Sequence, residues 1–271
     1  LNLRDALNRA KSTTGDFGWF TGQGQQSFQS VRMRPTRADI EDRVVPALLK
    51  ALETESNNDI ITGCMIALAK IGQGNGEQGG SSFAEAIRPF LKDSSQEISE
   101  TAALSLGILA QDQSVALLLD LLNDTALGRS AVGRGEVSRR TRTFAAYGLS
   151  LVGRATGKDA LRVEIANALR TALLSDESAT RDIEVACVIA LGNITLGMAS
   201  PDLALQEDDI TSAEQQAEFL FNYFQDRSNP YLARAHCPRS MARLAAESDS
   251  LGDEWKTKLA ESFMGVIQAR T

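Results

Sequence analysis

Histidine is nearly missing from this chain: His236 stands alone among 271 residues. That scarcity removes most zinc sets and most serine–histidine or cysteine–histidine pairs from consideration. Cysteine is scarce as well. The three residues form an odd set without framework spacing, so reduced, buried thiols are expected rather than a disulfide scaffold. Aromatics make up only 6% of the chain, while Ala and Leu are plentiful, a balance that favours helices packed through small and branched side chains. No uninterrupted apolar run approaches the roughly 20 residues that a membrane-spanning helix needs. No secretory signal opens the chain. It begins at Leu1 rather than Met, which reads as a fragment or a processed product, and a cytoplasmic setting is expected. The net charge of -7 argues against a whole-surface grip on nucleic acid or anionic lipid.

What the chain does have is an internal repeat. Four segments align without gaps, beginning at Ala67-Leu68-Ala69, Ala103-Leu104-Ser105, Ala146-Tyr147-Gly148 and Ala190-Leu191-Gly192. Spacings near 40 residues in an Ala/Leu-rich chain point to stacked helical hairpins. Cys64-Met65-Ile66-Ala67-Leu68 matches Cys187-Val188-Ile189-Ala190-Leu191 more closely still. Each copy sits near the end of an apolar helix that stops at a small residue, where Gly is expected to supply a left-handed cap. Ahead of each lies an amphipathic first helix: 39–53 with Val44, Leu48 and Leu52, 83–92 with Phe83, Ile87 and Leu91, 114–122 with Val115, Leu118 and Leu122, and 161–174 with Ile165, Leu169 and Leu173. Spacings of three and four mark one apolar face per helix.

Pro46 in Val45-Pro46-Ala47-Leu48-Leu49 and Pro89 in Arg88-Pro89-Phe90-Leu91 sit where HEAT repeats often carry a proline in the first helix. The second helices resemble the HEAT pattern that ends in Ala-Leu-Gly, best seen at Ala190-Leu191-Gly192. The family's Asp ahead of the second helix and Arg within it are matched by Asp93 and Arg140, whereas Ile61, Glu97 and Glu184 stand at the other Arg places. The resemblance covers roughly residues 39–197. It implies an all-α, right-handed α-solenoid of stacked helical hairpins, armadillo-like in form, that binds protein through shape. The expected organisation is an irregular N-terminal segment, 1–38, acting as cap or linker, and an array over 39–271. Its repeats are 39–74, 80–110, 112–153, 158–197 and 212–246, with a partial one at 252–271. Pro238 is expected to break or kink the helix over 230–246.

Several motifs fail for want of context. Gly74, Gly76 and Gly79 spell GxGxxG, but between helices rather than after a strand, so an inter-repeat loop is expected. Val152 and Asp159 spoil a phosphate loop around Gly157-Lys158. Asn193-Ile194-Thr195 spells a glycosylation acceptor within an expected packed helix. His236-Cys237 is only a pair, short of a tetrahedral metal set. Phe17, Trp19 and Phe20 read as a cover over the apolar end of the first repeat. No catalytic residue, metal or cofactor is expected.

Charge supplies the one directional feature. Between 129 and 162 lie Arg129, Arg134, Arg139, Arg140, Arg142, Arg154, Lys158 and Arg162, against Glu136 and Asp159. Part of this run is expected to be a long loop, 125–136. Arginines on a solenoid's loop edge fork onto carboxylates or phosphates, so Arg129, Arg134, Arg139, Arg140 and Arg154 are the expected partner-binding residues. The expected function is a non-catalytic interaction scaffold for a protein partner, acidic or phosphorylated, with no membrane and no nucleic acid. The rival class is an enzyme or nucleic-acid protein on the same repeat, similar to the HEAT-like bilin lyases or alkylpurine DNA glycosylases. Glu97, Glu100 and Glu184, expected on the concave side, would repel a phosphate backbone.

Overall fold

The computed structural model describes residues 35–72, 83–175, 181–198, 201–204 and 206–268. The chain divides into two compact units, Leu1–Glu53 and Thr54–Thr271. The first expected repeat, 39–74, spans the boundary between them.

In the first unit the helical run opens on a capping box. The Thr36 hydroxyl accepts the Asp39 amide at 3.1 Å, and the Asp39 carboxylate accepts the Thr36 amide at 3.0 Å. The run passes through Arg37–Asp39 and a π-helical turn, Ile40–Val44, into α1, Val45–Thr54. Val45 donates to the Ile40 carbonyl across the wider turn. Pro46, which has no N–H to give, follows immediately where the ladder changes register.

The second unit contains α2 (Asn58–Gly72), a helical stretch at 83–87 that tightens into a 3-10 turn over Arg88–Lys92, α3 (Gln96–Ile108) and α4 (Val115–Leu122). There follow α5 (Ala126–Val132), α6 (Arg139–Ala155), α7 (Asp159–Leu174), α8 (Arg181–Asn193), α9 (Ala213–Gln225), α10 (Tyr231–Glu247) and α11 (Asp253–Gln268). Among the described residues there is no strand. The helices pack in sequence. The second helices of the expected repeats form a row: α2 on α3, α3 on α6, α6 on α8, α8 on α10. The first-helix elements attach beside it, with Arg88–Lys92 on α3, α4 on α6, α7 on α6 and α8, α9 on α10, and α11 on α10. The faces that meet are the apolar ones: Leu68, Leu106, Leu118, Leu149, Leu169, Ile183, Leu191 and Met241 are all at most 2% exposed.

The recurring glycines do a different job from the capping expected of them. Among the described residues Gly133 alone of the glycines has positive φ, and Ala110 and Asp124 occupy the other left-handed positions. Gly107 and Gly148 lie inside helices and face each other. A Cβ on Gly107 would stand 2.2 Å from the Gly148 Cα. Gly192 faces Ser240 in the same way, at 2.4 Å from its Cβ, and the Ser240 hydroxyl donates to the Val188 carbonyl across that contact at 2.9 Å. At these two contacts, α3 on α6 and α8 on α10, a small residue lets the helices approach closely.

Three local expectations are corrected. The expected loop 125–136 contains α5. Thr125 caps it by accepting the Gly128 amide at 3.1 Å, and Gly133 closes it with amide bonds from Gly133 to Ser130 O and from Arg134 to Arg129 O. Pro238 does not end α10, which continues from Tyr231 to Glu247 and packs on α8 and α9. Asn193 is the last residue of α8, so Ile194 and Thr195 follow the helix rather than lie within it. The GxGxxG run and the Phe17-Trp19-Phe20 cluster lie outside the described residues.

Candidate functional site

The N-terminus of α6 carries the expected basic residues into a cleft. Ser138 caps the helix by accepting the Thr141 amide at 3.1 Å, so Arg139 and Arg140 occupy its first turn. Beside it, α5 carries Arg129 in its last turn, and the turn between α4 and α5 carries Asn123 and Asp124. Together with Gln96 of α3 and Asp182 of α8, these line a cleft of about 700 Å³. Its walls include four guanidinium-bearing residues, Arg129, Arg139, Arg140 and Arg142, and three acids, Asp124, Glu136 and Asp182.

The four arginines are held differently. Arg129 forks onto Asp124, Nε to Oδ1 at 3.0 Å and Nη2 to Oδ2 at 2.7 Å. Asp124 also accepts the Val137 amide at 2.7 Å. The Arg129 hydrogen bond, and then the Val137 amide, hold its carboxyl below the ordinary range. This knot fixes one wall. Arg142 donates Nε–H to the Leu122 carbonyl at 2.7 Å, satisfying the C-terminus of α4. Arg140 reaches Glu100 at 3.0 Å, with Arg140 62% exposed and Glu100 4% exposed. Arg139 is exposed and has no acidic partner among the described residues. The cleft therefore holds two structural arginines, one shared with a buried carboxylate, and one uncommitted.

Arg134 and Arg154 lie elsewhere. Arg134 donates to the Asp93 carbonyl and lines a neighbouring hollow with Gly135, Glu136 and Ser138. Arg154 sits fifteen residues along α6 from Arg139, about 22 Å at 1.5 Å per residue. It pairs with Glu247 at 3.2 Å beside Arg162, Asn193 and Asp249. Of the five expected residues the structure brings Arg129, Arg139 and Arg140 together, sets Arg134 on an adjoining rim, and places Arg154 at the far end of the helix. Lys158 and Arg162 pair with Asp112 and Asp159, both at 2.8 Å.

Sequence reasoning missed the non-basic lining. Gln96, Asn123, Asp124 and Asp182 come from three other parts of the chain. The left-handed φ of 51° at Asp124 had a faint signal, an Asn-Asp pair after an apolar helix. Of the expected concave glutamates, Glu100 is buried. Glu184 is partly buried with Oε2 lacking a hydrogen-bond partner among the described residues. Burial pushes the Glu184 carboxyl up, with Arg181 opposing. Burial also pushes the Cys187 and Cys237 thiols up to about 12, so neither is a thiolate at neutral pH. Among the described residues no cluster of His, Cys, Asp and Glu has the makings of a metal site, and no helix is long and apolar enough to cross a membrane.

A scan against protein-family models finds no match, and no curated protein matches the chain in sequence.

Proposed function

We propose that this chain is a right-handed α-solenoid of HEAT-like repeats acting as a non-catalytic protein-interaction scaffold, and that it receives an anionic segment of a protein partner at the α6 cleft. The row of second helices with first helices attached beside it supports the solenoid, since each hairpin covers its apolar face with the next. The observation that carries the binding reading is the convergence of Arg129, Arg139, Arg140 and Arg142 on one cleft. Guanidinium groups make short, directional bonds to carboxylate and phosphate. Two of the four are held by neighbouring groups that fix the walls, so the cleft is largely formed before a partner arrives, which lowers the ordering cost of binding. Arg139 and Arg140 make the contact, Arg129 and Arg142 shape the cleft, and Arg134 extends its rim. Asp124, Glu136 and Asp182 weigh against the rival nucleic-acid reading, because a polyanion crossing the cleft would meet all three.

The test uses the full chain and fluorescently labelled acidic peptides, phosphorylated and unphosphorylated, with a DNA duplex as a separate arm. Saturable peptide binding that weakens with Arg139→Glu and survives Arg154→Glu is expected. Peptide binding indifferent to Arg139→Glu would overturn the reading. Duplex binding that is tighter than any peptide and steeply salt-dependent would favour the nucleic-acid class instead.

A further inference from the structure

The cleft's charges form a pattern more specific than a basic patch. The cationic side is made by Arg139 and Arg140 at the start of α6, with the neutral amides of Asn123 and Gln96 also in the lining. The remaining acids are Glu136, just before α6, and Asp182, at the start of α8. Both are exposed, and neither forms an ion pair among the described residues. Asp124 is already committed to Arg129 and Val137. An incoming anion therefore meets Arg139 and Arg140, while two uncommitted carboxylates stand at the same opening.

A single carboxylate carries one charge on two oxygens, and one forked guanidinium matches both of them. A phosphoryl group carries three terminal oxygens and close to two charges, and it uses donors arriving from several directions. The cleft offers several: guanidiniums from Arg139 and Arg140, and amides from α3 and the α4–α5 turn. The two exposed carboxylates penalise any further negative charge and reward a positive one.

On the reading of this cleft as the partner's anion site, we infer that its ligand is a phosphorylated side chain of a protein segment that also carries a lysine or arginine within a few residues. The phosphoryl group bonds Arg139 and Arg140, and the neighbouring cation meets Glu136 and Asp182. Arg139 has no acidic partner among the described residues, so its loss is felt by the phosphate without leaving a buried carboxylate behind. Arg140 also neutralises the buried Glu100, so its variants alter stability as well as binding.

The experiment presents the full chain with a pool of peptides holding one phosphoserine at the centre and degenerate positions around it. The same pool with serine, and with glutamate, at the centre serves for comparison. The phosphoserine pool is expected to bind at least about tenfold tighter than the serine and glutamate pools, as expected when charge-assisted hydrogen bonds are gained. Sequencing the retained peptides is expected to show enrichment of lysine and arginine near the phosphoserine. Arg139→Gln should erase the preference for phosphate with the thermal midpoint unchanged. The pair Glu136→Gln and Asp182→Asn should erase the enrichment while leaving phosphate binding intact or tighter. Equal binding of the glutamate pool, still dependent on Arg139, would overturn this inference and leave the broader reading standing. The same holds for phosphoserine binding with no basic enrichment. Failure of every anionic pool to respond to Arg139→Gln would overturn both. Displacement of the phosphopeptides by a single-stranded oligonucleotide at equal concentration would assign the cleft to nucleic acid instead.

Discussion

Replacing Gly107 with alanine should drive α3 and α6 apart. The added Cβ would stand 2.2 Å from the Gly148 Cα and 2.8 Å from both its carbonyl carbon and oxygen. Carbon atoms in contact prefer about 3.5–4.0 Å, so the shortest of these distances must open by more than about 1 Å. The contacted atoms are backbone, so no rotamer change relieves the clash and the helices themselves must move. Overpacking of this kind costs about 3 kcal/mol at the upper end of its usual range. Alanine returns about 1 kcal/mol through its better helix propensity. The balance is a loss of about 2 kcal/mol, a fall in thermal midpoint of about 4–8 °C for a unit of this size. Gly63 is the control. It lies within α2, and a Cβ there meets nothing within 4 Å, so Gly63→Ala should raise the midpoint by about 2–4 °C. Thermal unfolding followed by far-ultraviolet circular dichroism measures both. A Gly107→Ala protein as stable as the parent, beside a stabilised Gly63→Ala protein, would refute the backbone-to-backbone contact of α3 and α6.

Three further outcomes follow from buried and half-buried polar groups. Glu184 has its carboxyl pushed up by burial, so its contribution to stability is present below the ordinary value near 4.5 and is lost as pH rises through the folded-state value. Glu184→Gln should therefore raise the thermal midpoint at pH 7 and give no gain below pH 4, as thermal scans across that range would show. Asp124 is the opposite case: its carboxyl is held down by Arg129, so its stabilisation is present above the ordinary value near 3.8 and is lost as pH falls through the lower folded-state value. Asp124→Asn should destabilise at pH 7 and converge with the parent in acid unfolding curves. Asn167 bonds Ile210 in both directions, accepting its amide at 2.8 Å and donating to its carbonyl at 2.9 Å. Asn167→Leu should cost about 1–3 kcal/mol by leaving those groups unpaired and should speed hydrogen exchange at Ile210, while unchanged protection there would count against the bond.

How much of this could be read from the residues differs from feature to feature. The apolar spacing of 114–122 and 161–174 placed α4 and α7 to within a few residues, because each helix buries a single face on a neighbour. The role of Gly107 was hidden, since the reason for a glycine there is the backbone of another helix, and a sequence shows a small residue without its neighbour. Helix α5 is too short for periodicity to reveal, yet Thr125 and Gly133 are its two punctuation marks. The break expected at Pro238 is absent: α10 continues through it, with α8 and α9 packed on the helix. The basic run was plain in composition, but a linear run cannot say that Arg139 and Arg154 stand at opposite ends of one helix until the helix is drawn. Gln96, Asn123, Asp124 and Asp182 were invisible as a group, being contributed by α3, the α4–α5 turn and α8.

In the proposed site Arg139 and Arg140 at the start of α6 bond the anion, Arg129 and Arg142 shape the cleft, and Arg154 at the far end of the helix takes no part. Nitrogen-15 spectra of the arginine Nε–H groups, recorded on the full chain during titration with phosphoserine peptides, test this assignment most directly. The Arg139 and Arg140 signals are expected to move together and saturate while Arg154 stays fixed. Arg154 moving in step with Arg139, or no arginine moving at all, would contradict the account.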